Sequence, residues 1–352
     1  MRHALLTASA AVLFGLAAPA KSQSTASQPL PLFADERPLV LTMTTNFATL
    51  TRADPEEAPS VSGGLSVGGV EGTMAVQYQP RGITRRAKDV CQFPPLRVRF
   101  ATPPPAGSVF EGQRQLKLVT HCRAAGNFNQ YTLLEYAAYR LFNLITPLSF
   151  RTRLAQIDYV DSGGHSVARR YGFFIEDADD LAKRNGMREA RIRDRFPVTR
   201  LSPRDAARFA LFQYMIGNLD WAMQAGPGGD DCCHNSKPVG VGGTGAAQLV
   251  PVPYDFDFAG LVNAPYATPP FGVQVSSVRQ RRYRGLCRHN AEAKALFAEF
   301  RTQRSQVSAL FASIPGLERS SQAKATSYLD TFFADIATDE QATAKILKTC
   351  LG

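Results

Sequence analysis

The hydrophobic period of this chain changes once, and that change limits the folds open to it. In the first third, apolar residues recur at every second position. Leu39, Leu41 and Met43 share a face in "PLVLTMTTNF", as do Met74, Val76 and Tyr78 in "TMAVQYQ". In "PLRVRFA", Leu96, Val98 and Phe100 alternate with Arg97 and Arg99, and "QLKLVTH" sets Lys117 and Val119 opposite Leu116 and Leu118. Period two places successive side chains on opposite faces of a strand, so the series predicts an antiparallel sheet with one buried face. In "YTLLEYAAYRLFNLIT" the spacing becomes helical, through Leu134, Ala138, Leu141, Phe142 and Ile145.

Strand-like pieces return at 153–160 and 169–176, followed by a charged, irregular stretch over 177–200. "SPRDAARFALFQYMIGN" predicts a helix with Ser202 as N-cap, Pro203 in the first position and Asp205 placed for a capping box. It ends at Gly217-Asn218, which leaves Asp220 on a loop. "PSVSGGLSVGGVEG" and "GPGGDDCCHNSK" read as loops, and "GVGGTGAAQLVPVPY" as a Gly-rich turn entering a strand. From Ala291 onward the pattern is helical, in about three segments, with Thr338 capping the last. These elements predict an α+β chain: a strand-rich part over 38–176 with one helix, then a mainly helical part over 177–352.

The N-terminus, "MRHALLTASAAVLFGLAAPAKS", has the three parts of a secretory signal: Arg2, the apolar run Leu5 to Ala17, and the small-residue site Ala18-Pro19-Ala20. The run is short for a bilayer span, so cleavage near Ala20 and export to the periplasm or outside the cell are expected, with no transmembrane span in the mature chain. Residues 21–37, rich in Ser, Gln and Pro, read as a flexible leader. The six cysteines, an even number, suit an oxidising compartment. Cys91 and Cys122 flank two candidate strands and make a plausible pair, while Cys232 and Cys233 are expected to bridge to distant cysteines. The Cys232-Cys233-His234 cluster lacks the spaced second pair of a structural zinc site.

Net charge is +10, which favours anionic partners. The densest basic run is "RQRRYRGLCRHN", Arg279 to Asn290. Only Tyr283 interleaves it with an aromatic ring, so a solvated basic face, or the lining of a phosphate site, fits better than nucleic-acid binding.

Chemistry concentrates at element ends in the second half. Asp220 follows a helix, His234-Asn235 lies in a loop, and "VPVPYDFDFAG" sets Asp255 and Asp257 in the wake of a strand. A carboxylate beside a buried strand costs several kcal/mol unless it finds a partner such as a cation. Mg²⁺ takes oxygen ligands, commonly one or two carboxylates or an amide together with substrate phosphates. Asn235 and Asp255 supply that set, with Asp257 a possible third ligand, and Asp220 is then free to orient an attacking hydroxyl. Lys117 on a strand and Glu135 on a helix complete the order of parts in a kinase-type site. Each acidic residue taken singly can equally be a solvated surface group, and His234 either positions the loop or faces solvent.

Several segments, in order, resemble the CotH family of spore-coat-type secreted atypical kinases. "QYQPRGITRR…CQFPPLRVRF" resembles its Arg-Gly motif and basic strand, "LKLVTH" its lysine strand, and "LLEYAAYRLFNLITPLSFRTRLAQI" its long helix and following strand. "YGFFIED" resembles the segment that joins the lobes, "FALFQYMIGNLDW" the motif ending in the catalytic Asp, "CCHNSK" the His-Asn, and "VPVPYDFDF" the metal-binding strand end. The resemblance covers roughly residues 75–262. It implies a protein-kinase-like two-lobed fold, with Asp220 as catalytic base, Asn235 and Asp255 as Mg²⁺ or Mn²⁺ ligands, Lys117 as the ATP lysine and Glu135 as its helix partner. Arg81 either touches phosphate or sits beside Gly82 in a turn.

Three departures stand out: Pro-Tyr-Asp where the family commonly has Pro-Trp-Asp, a long gap from Asp220 to Asn235 holding two cysteines, and no compact Gly-rich phosphate loop. The function implied is ATP-dependent phosphorylation of a Ser or Thr hydroxyl on a secreted or surface protein. A catalytically silent binding module of the envelope or surface is the alternative, and phosphorylation of a small molecule or polysaccharide a third.

Overall fold

A computed structural model of the chain describes residues 28–54, 56–226 and 231–352; the expected signal and the first part of the leader lie outside them. Seven strands form the first half: β1 (Leu39–Thr45), β2 (Val61–Val67), β3 (Met74–Pro80), β4 (Leu96–Phe100), β5 (Gln115–Val119), β6 (Thr152–Asp161) and β7 (Ser166–Ile175). They close into a barrel in the order β1-β2-β3-β4-β5-β7-β6. Neighbours are antiparallel except at the closing seam, where β6 runs parallel to β1 from Leu39 opposite Ala155 to Thr45 opposite Asp161.

The closed barrel overturns the expectation of a two-lobed kinase-like fold with a strand-rich first lobe and a helical second one. Period two reports which face of a strand is buried, and that part of the expectation held: Leu41, Met43, Val76, Tyr78, Leu96, Val98, Leu116 and Leu118 fill the interior. It is silent on whether the outer strands meet. The stretch expected to be a Gly/Ser loop supplies a strand of the ring, β2. A Cβ on Gly63 would lie 2.3 Å from the Thr44 carbonyl oxygen and 2.7 Å from the Tyr78 ring, so glycine is there for the close approach of β1.

Part of the expected leader is also built in. Leu32 and Phe33 of α1 (Pro31–Ala34) are buried against the barrel, and Arg153 donates to the carbonyls of Leu32 and Asp35. A short helix, α2 (Phe47–Arg52), follows β1 and buries Phe47 and Leu50.

Helix α3 (Phe128–Ile145) lies between the barrel and the rest of the chain. Its Tyr139 meets Phe173 of β7 on one side and Phe256 on the other, and Phe142 packs on Phe212. The second half holds α4 (Ala178–Arg184), α5 (Pro203–Ile216) and a small sheet of β8 (Arg188–Glu189), β9 (Ser236–Gly240) and β10 (Val250–Pro253). Four helices end the chain, one more than expected: α6 (Asn290–Thr302), α7 (Arg304–Ser313), α8 (Arg319–Asp335) and α9 (Asp339–Lys345). The Thr338 side chain caps α9 by accepting from the Gln341 N–H at 3.2 Å. Ser202 sits at the N-cap of α5, but its hydroxyl donates to the Asp205 carboxylate at 2.6 Å instead of capping the backbone.

The disulfides are Cys91–Cys122, Cys232–Cys233 and Cys287–Cys350. The first pair follows the sequence reading. Cys232 and Cys233 bond each other, so the expected bridges to distant cysteines do not form. The outer two pairs span 31 and 63 residues, and loop entropy alone makes such links worth roughly 4 kcal/mol each. Among the described residues no helix is long and apolar enough to cross a membrane.

Candidate functional site

The site lies where the ends of β9 and β10, the loop after α5 and the inner face of α3 meet. Its first part is built on α5. That helix stops at Gly217, where the chain turns left-handed at φ 65°, and glycine is needed there because a Cβ would also overlap the Tyr328 hydroxyl. The turn delivers Asn218, whose side chain accepts from the Asp220 N–H at 3.0 Å. Trp221 donates its indole N–H to the Asn218 carbonyl at 2.9 Å. Arg284 stacks on Trp221 and donates to the carbonyls of Leu219 and Trp221, on either side of Asp220.

The long gap to Asn235 folds back on itself. Ala222 and His234 pair as a β-bridge, with N–H to carbonyl distances of 2.9 and 3.2 Å. Asp220 therefore meets the residues beyond the gap: its Oδ1 lies 2.7 Å from His234 Nε2, and Asn235 Nδ2 donates to its Oδ2 at 3.0 Å. The bond to Asp220 raises the His234 pKa, against the opposing effect of burial.

Asp255 is held beside this group. The Tyr254 N–H donates to the Asn235 carbonyl at 3.2 Å, just past the end of the β9–β10 ladder, which sets Asp255 diagonally across from Asn235. Both residues have left-handed backbones, φ 49° at Asn235 and 64° at Asp255. For side chains other than glycine this costs on the order of 1–3 kcal/mol each, a cost that clusters at functional positions. The Asp255 N–H donates to the Tyr139 hydroxyl at 2.8 Å, which fixes the turn from the α3 side.

Behind Asp255 sits a buried charge cluster. Arg85, in the turn Thr84–Arg86, reaches Glu135 at 3.1 Å, Asp257 at 3.2 Å and Asp255 at 3.4 Å. Burial opposes the Arg85 charge, but Asp257, Glu135 and Asp255 outweigh it and hold its pKa above the ordinary value. One guanidinium does not balance three carboxylates. Burial pushes Asp257 well above the usual carboxylate range, against the pull of Arg85, and raises Glu135 in the same way.

This cluster sorts the expected metal ligands. Oxygens of Glu135, Asp255 and Asp257 lie within 4.8 Å of one another, yet Arg85 already pairs with all three. Asp257 is buried against the Arg85 Nε, so it supports the site and is not an open ligand. Asp255 keeps 37% of its side chain exposed. Asn235 uses Nδ2 on Asp220, leaving Oδ1 as its acceptor. One carboxylate and one amide oxygen suit a hard cation that completes its shell with phosphate oxygens and water.

The cations expected to hold phosphate form a third group. Lys117 on β5 is largely buried, and burial first, then the charge of Arg81, lowers its pKa. Lys237 also lies within electrostatic reach of Lys117 and sits over the Tyr254 ring at 5.7 Å. Arg81 reaches the fields of Tyr254, Glu135 and Tyr139, which ties this group to the carboxylate side. The expected Lys117–Glu135 pair does not form, because Arg85 takes Glu135.

Sequence reasoning missed Arg85, Tyr139 and the role of His234. Arg85 stands in the same "PRGITRR" segment as Arg81, and nothing local said which arginine turns inward. Tyr139 follows Glu135 by one helical turn and so shares its face. Comparison with protein-family models finds no match to the chain, and comparison with curated proteins finds none either.

Proposed function

We propose that this chain is an exported phosphotransferase that uses ATP and Mg²⁺ (or Mn²⁺) to phosphorylate a Ser or Thr hydroxyl on a secreted or surface protein. One observation carries the reading: Asp220, fixed by His234 and Asn235, stands beside an Asn235–Asp255 pair whose backbones are both held left-handed. The ordered resemblance to the CotH family supports it, as does the group of Lys117, Arg81 and Lys237, whose charges act on one another.

In this reading the acceptor hydroxyl lies against Asp220. Its oxygen forms a bond to the γ-phosphorus, the bond from that phosphorus to the β,γ-bridging oxygen breaks, and ADP leaves. The hydroxyl proton passes to the Asp220 carboxylate, which His234 and Asn235 keep in a single orientation. Asp255 and Asn235 would hold a divalent cation, which when bound would supply positive charge beside the transferring phosphate. Lys117 and Arg81 hold the upstream phosphates.

A second reading, a binding module that does not catalyse, is favoured by the capture of Glu135 by Arg85, which leaves Lys117 without its expected helix partner. Labelled ATP with Mg²⁺ or Mn²⁺ separates the two. Self-labelling by the mature protein that disappears in Asp220→Ala supports the enzyme. Label in both proteins, or in neither with no thermal shift by nucleotide, sinks it.

A further inference from the structure

The basic run Arg279 to Asn290 is not one uniform solvated face. Arg279 and Arg281 stack on Tyr328, and Arg284 stacks on Trp221. Arg281 spends its nitrogens on neutral groups: Nε on the Met215 carbonyl at 3.1 Å, Nη1 on the Thr331 hydroxyl at 2.5 Å and Nη2 on the Tyr328 carbonyl at 2.6 Å. None of these bonds neutralises its charge.

Arg281, Arg282, Lys345 and Lys348 line a cavity of about 350 Å³. The one carboxylate in that lining, Asp335, is already committed. Lys345 donates to its Oδ1 at 2.9 Å and the Tyr214 hydroxyl to its Oδ2 at 3.1 Å. Arg282 and Lys348 pair with no carboxylate among the described residues. Four cations thus converge on a small concavity against one carboxylate.

Like charges do not gather this way without something to hold them, and the walls are tied together. The Cys287–Cys350 disulfide joins the two segments. Cys287 donates to the Leu351 carbonyl and Leu351 to that of Gly285, each at 2.8 Å, and the Thr349 hydroxyl donates to the Tyr283 carbonyl at 2.9 Å. The pocket is pre-organised, so a ligand meets little ordering cost on entry.

We infer that this cavity between residues 281–283 and 345–349 is a binding site for a small, multiply charged oxyanion of the phosphate class, separate from the Asp220 site. Its concave form and its size, at the lower end of small-ligand cavities, suit a compact solute of pyrophosphate size and not a flat membrane or a long polymer. Arg282 supplies a planar fork for two phosphate oxygens and Lys348 a mobile point charge.

The test is calorimetric titration of the full mature chain with inorganic pyrophosphate, at ionic strength matched with sodium chloride. A binding event that does not depend on Lys117 is expected. It should weaken at least tenfold in Arg282→Ser/Lys348→Ser, two substitutions outside the buried core, and persist in Lys117→Met. Absence of binding to the wild-type chain overturns the inference. So does binding that survives the double substitution combined with Lys117→Met, or binding that Lys117→Met alone abolishes. Loss of binding in Lys117→Met would move the phosphate to the Asp220 site and leave the phosphotransferase reading standing, whereas loss in Arg282→Ser/Lys348→Ser leaves labelling by ATP untouched, so the two readings fail separately.

Discussion

Arg85 and Glu135 meet edge to edge, Nη1 to Oε2 at 3.1 Å and Nη2 to Oε1 at 3.4 Å, with 9% and 2% of their side chains exposed. The pair joins the barrel to α3 and stands directly behind Asp255. Removing one partner of a buried pair leaves the other charge stranded, which typically costs about 3–5 kcal/mol. Arg85→Met is therefore expected to lower unfolding free energy by that order, read from the denaturant midpoint. Arg85→Met/Glu135→Leu should recover part of the loss, and a double variant no more stable than Arg85→Met would show that the pair is not the source.

Lys117 predicts the opposite sign. Burial disfavours its charge and no carboxylate pairs with it directly. Lys117→Met should hold or raise the melting temperature while removing the thermal shift produced by nucleotide. A variant that melts lower and still responds to nucleotide would place Lys117 in the scaffold instead of the phosphate group.

At Gly217 the loop carrying Asp220 depends on a missing methyl group. Gly217→Ala must place a Cβ against the Tyr328 hydroxyl and hold alanine in a left-handed backbone. The backbone term alone is about 1–2 kcal/mol. A melting temperature lowered by several degrees is expected, with partial recovery in Gly217→Ala/Tyr328→Phe, where the clashing oxygen is gone.

His121 sets an acid limit. It is buried beside Phe93, with ring centres 4.7 Å apart, and burial lowers its pKa from 6.5 to about 3. Folding thus prefers the neutral ring. Above pH 6.5 the residue makes no pH-dependent contribution, and as pH falls from there towards 3 the unfolded chain gains a proton that the folded chain refuses. At pH 4.5 the loss is about 2–3 kcal/mol. Stability of wild type and His121→Leu, followed from pH 7 to 4, should show the wild-type curve falling more steeply; parallel curves would refute the assignment.

What the sequence made legible follows from the range of each signal. Alternation is local, so the buried faces of β1, β3, β4 and β5 could be read directly. Closure depends on β6 finding β1 across a long stretch of chain, and no local pattern encodes that meeting. A Gly-rich stretch looks the same in a loop and in a strand whose glycines admit a neighbour, which is why β2 went unseen. At the site, Asp220, Asn235 and Asp255 announced themselves by lying at element ends, and the structure sets them side by side. The choice between Lys117 and Arg85 as partner of Glu135 was not legible, since it depends on which cation the fold turns inward. The Cys232–Cys233 bond escaped because adjacency makes a pair look unlikely to close on itself.

The parallel seam between β1 and β6 has a consequence for assembly. During synthesis β1 can pair with β2 early, but its other edge has no partner until β6 has been made. Until then a partial sheet with an apolar face presents an open edge, the geometry that recruits strands from other molecules. The chain must be kept from this state while it is being made, so its yield should depend more on holdase supply than its final stability would indicate. Once β6 docks, the sheet has no free edge left to offer.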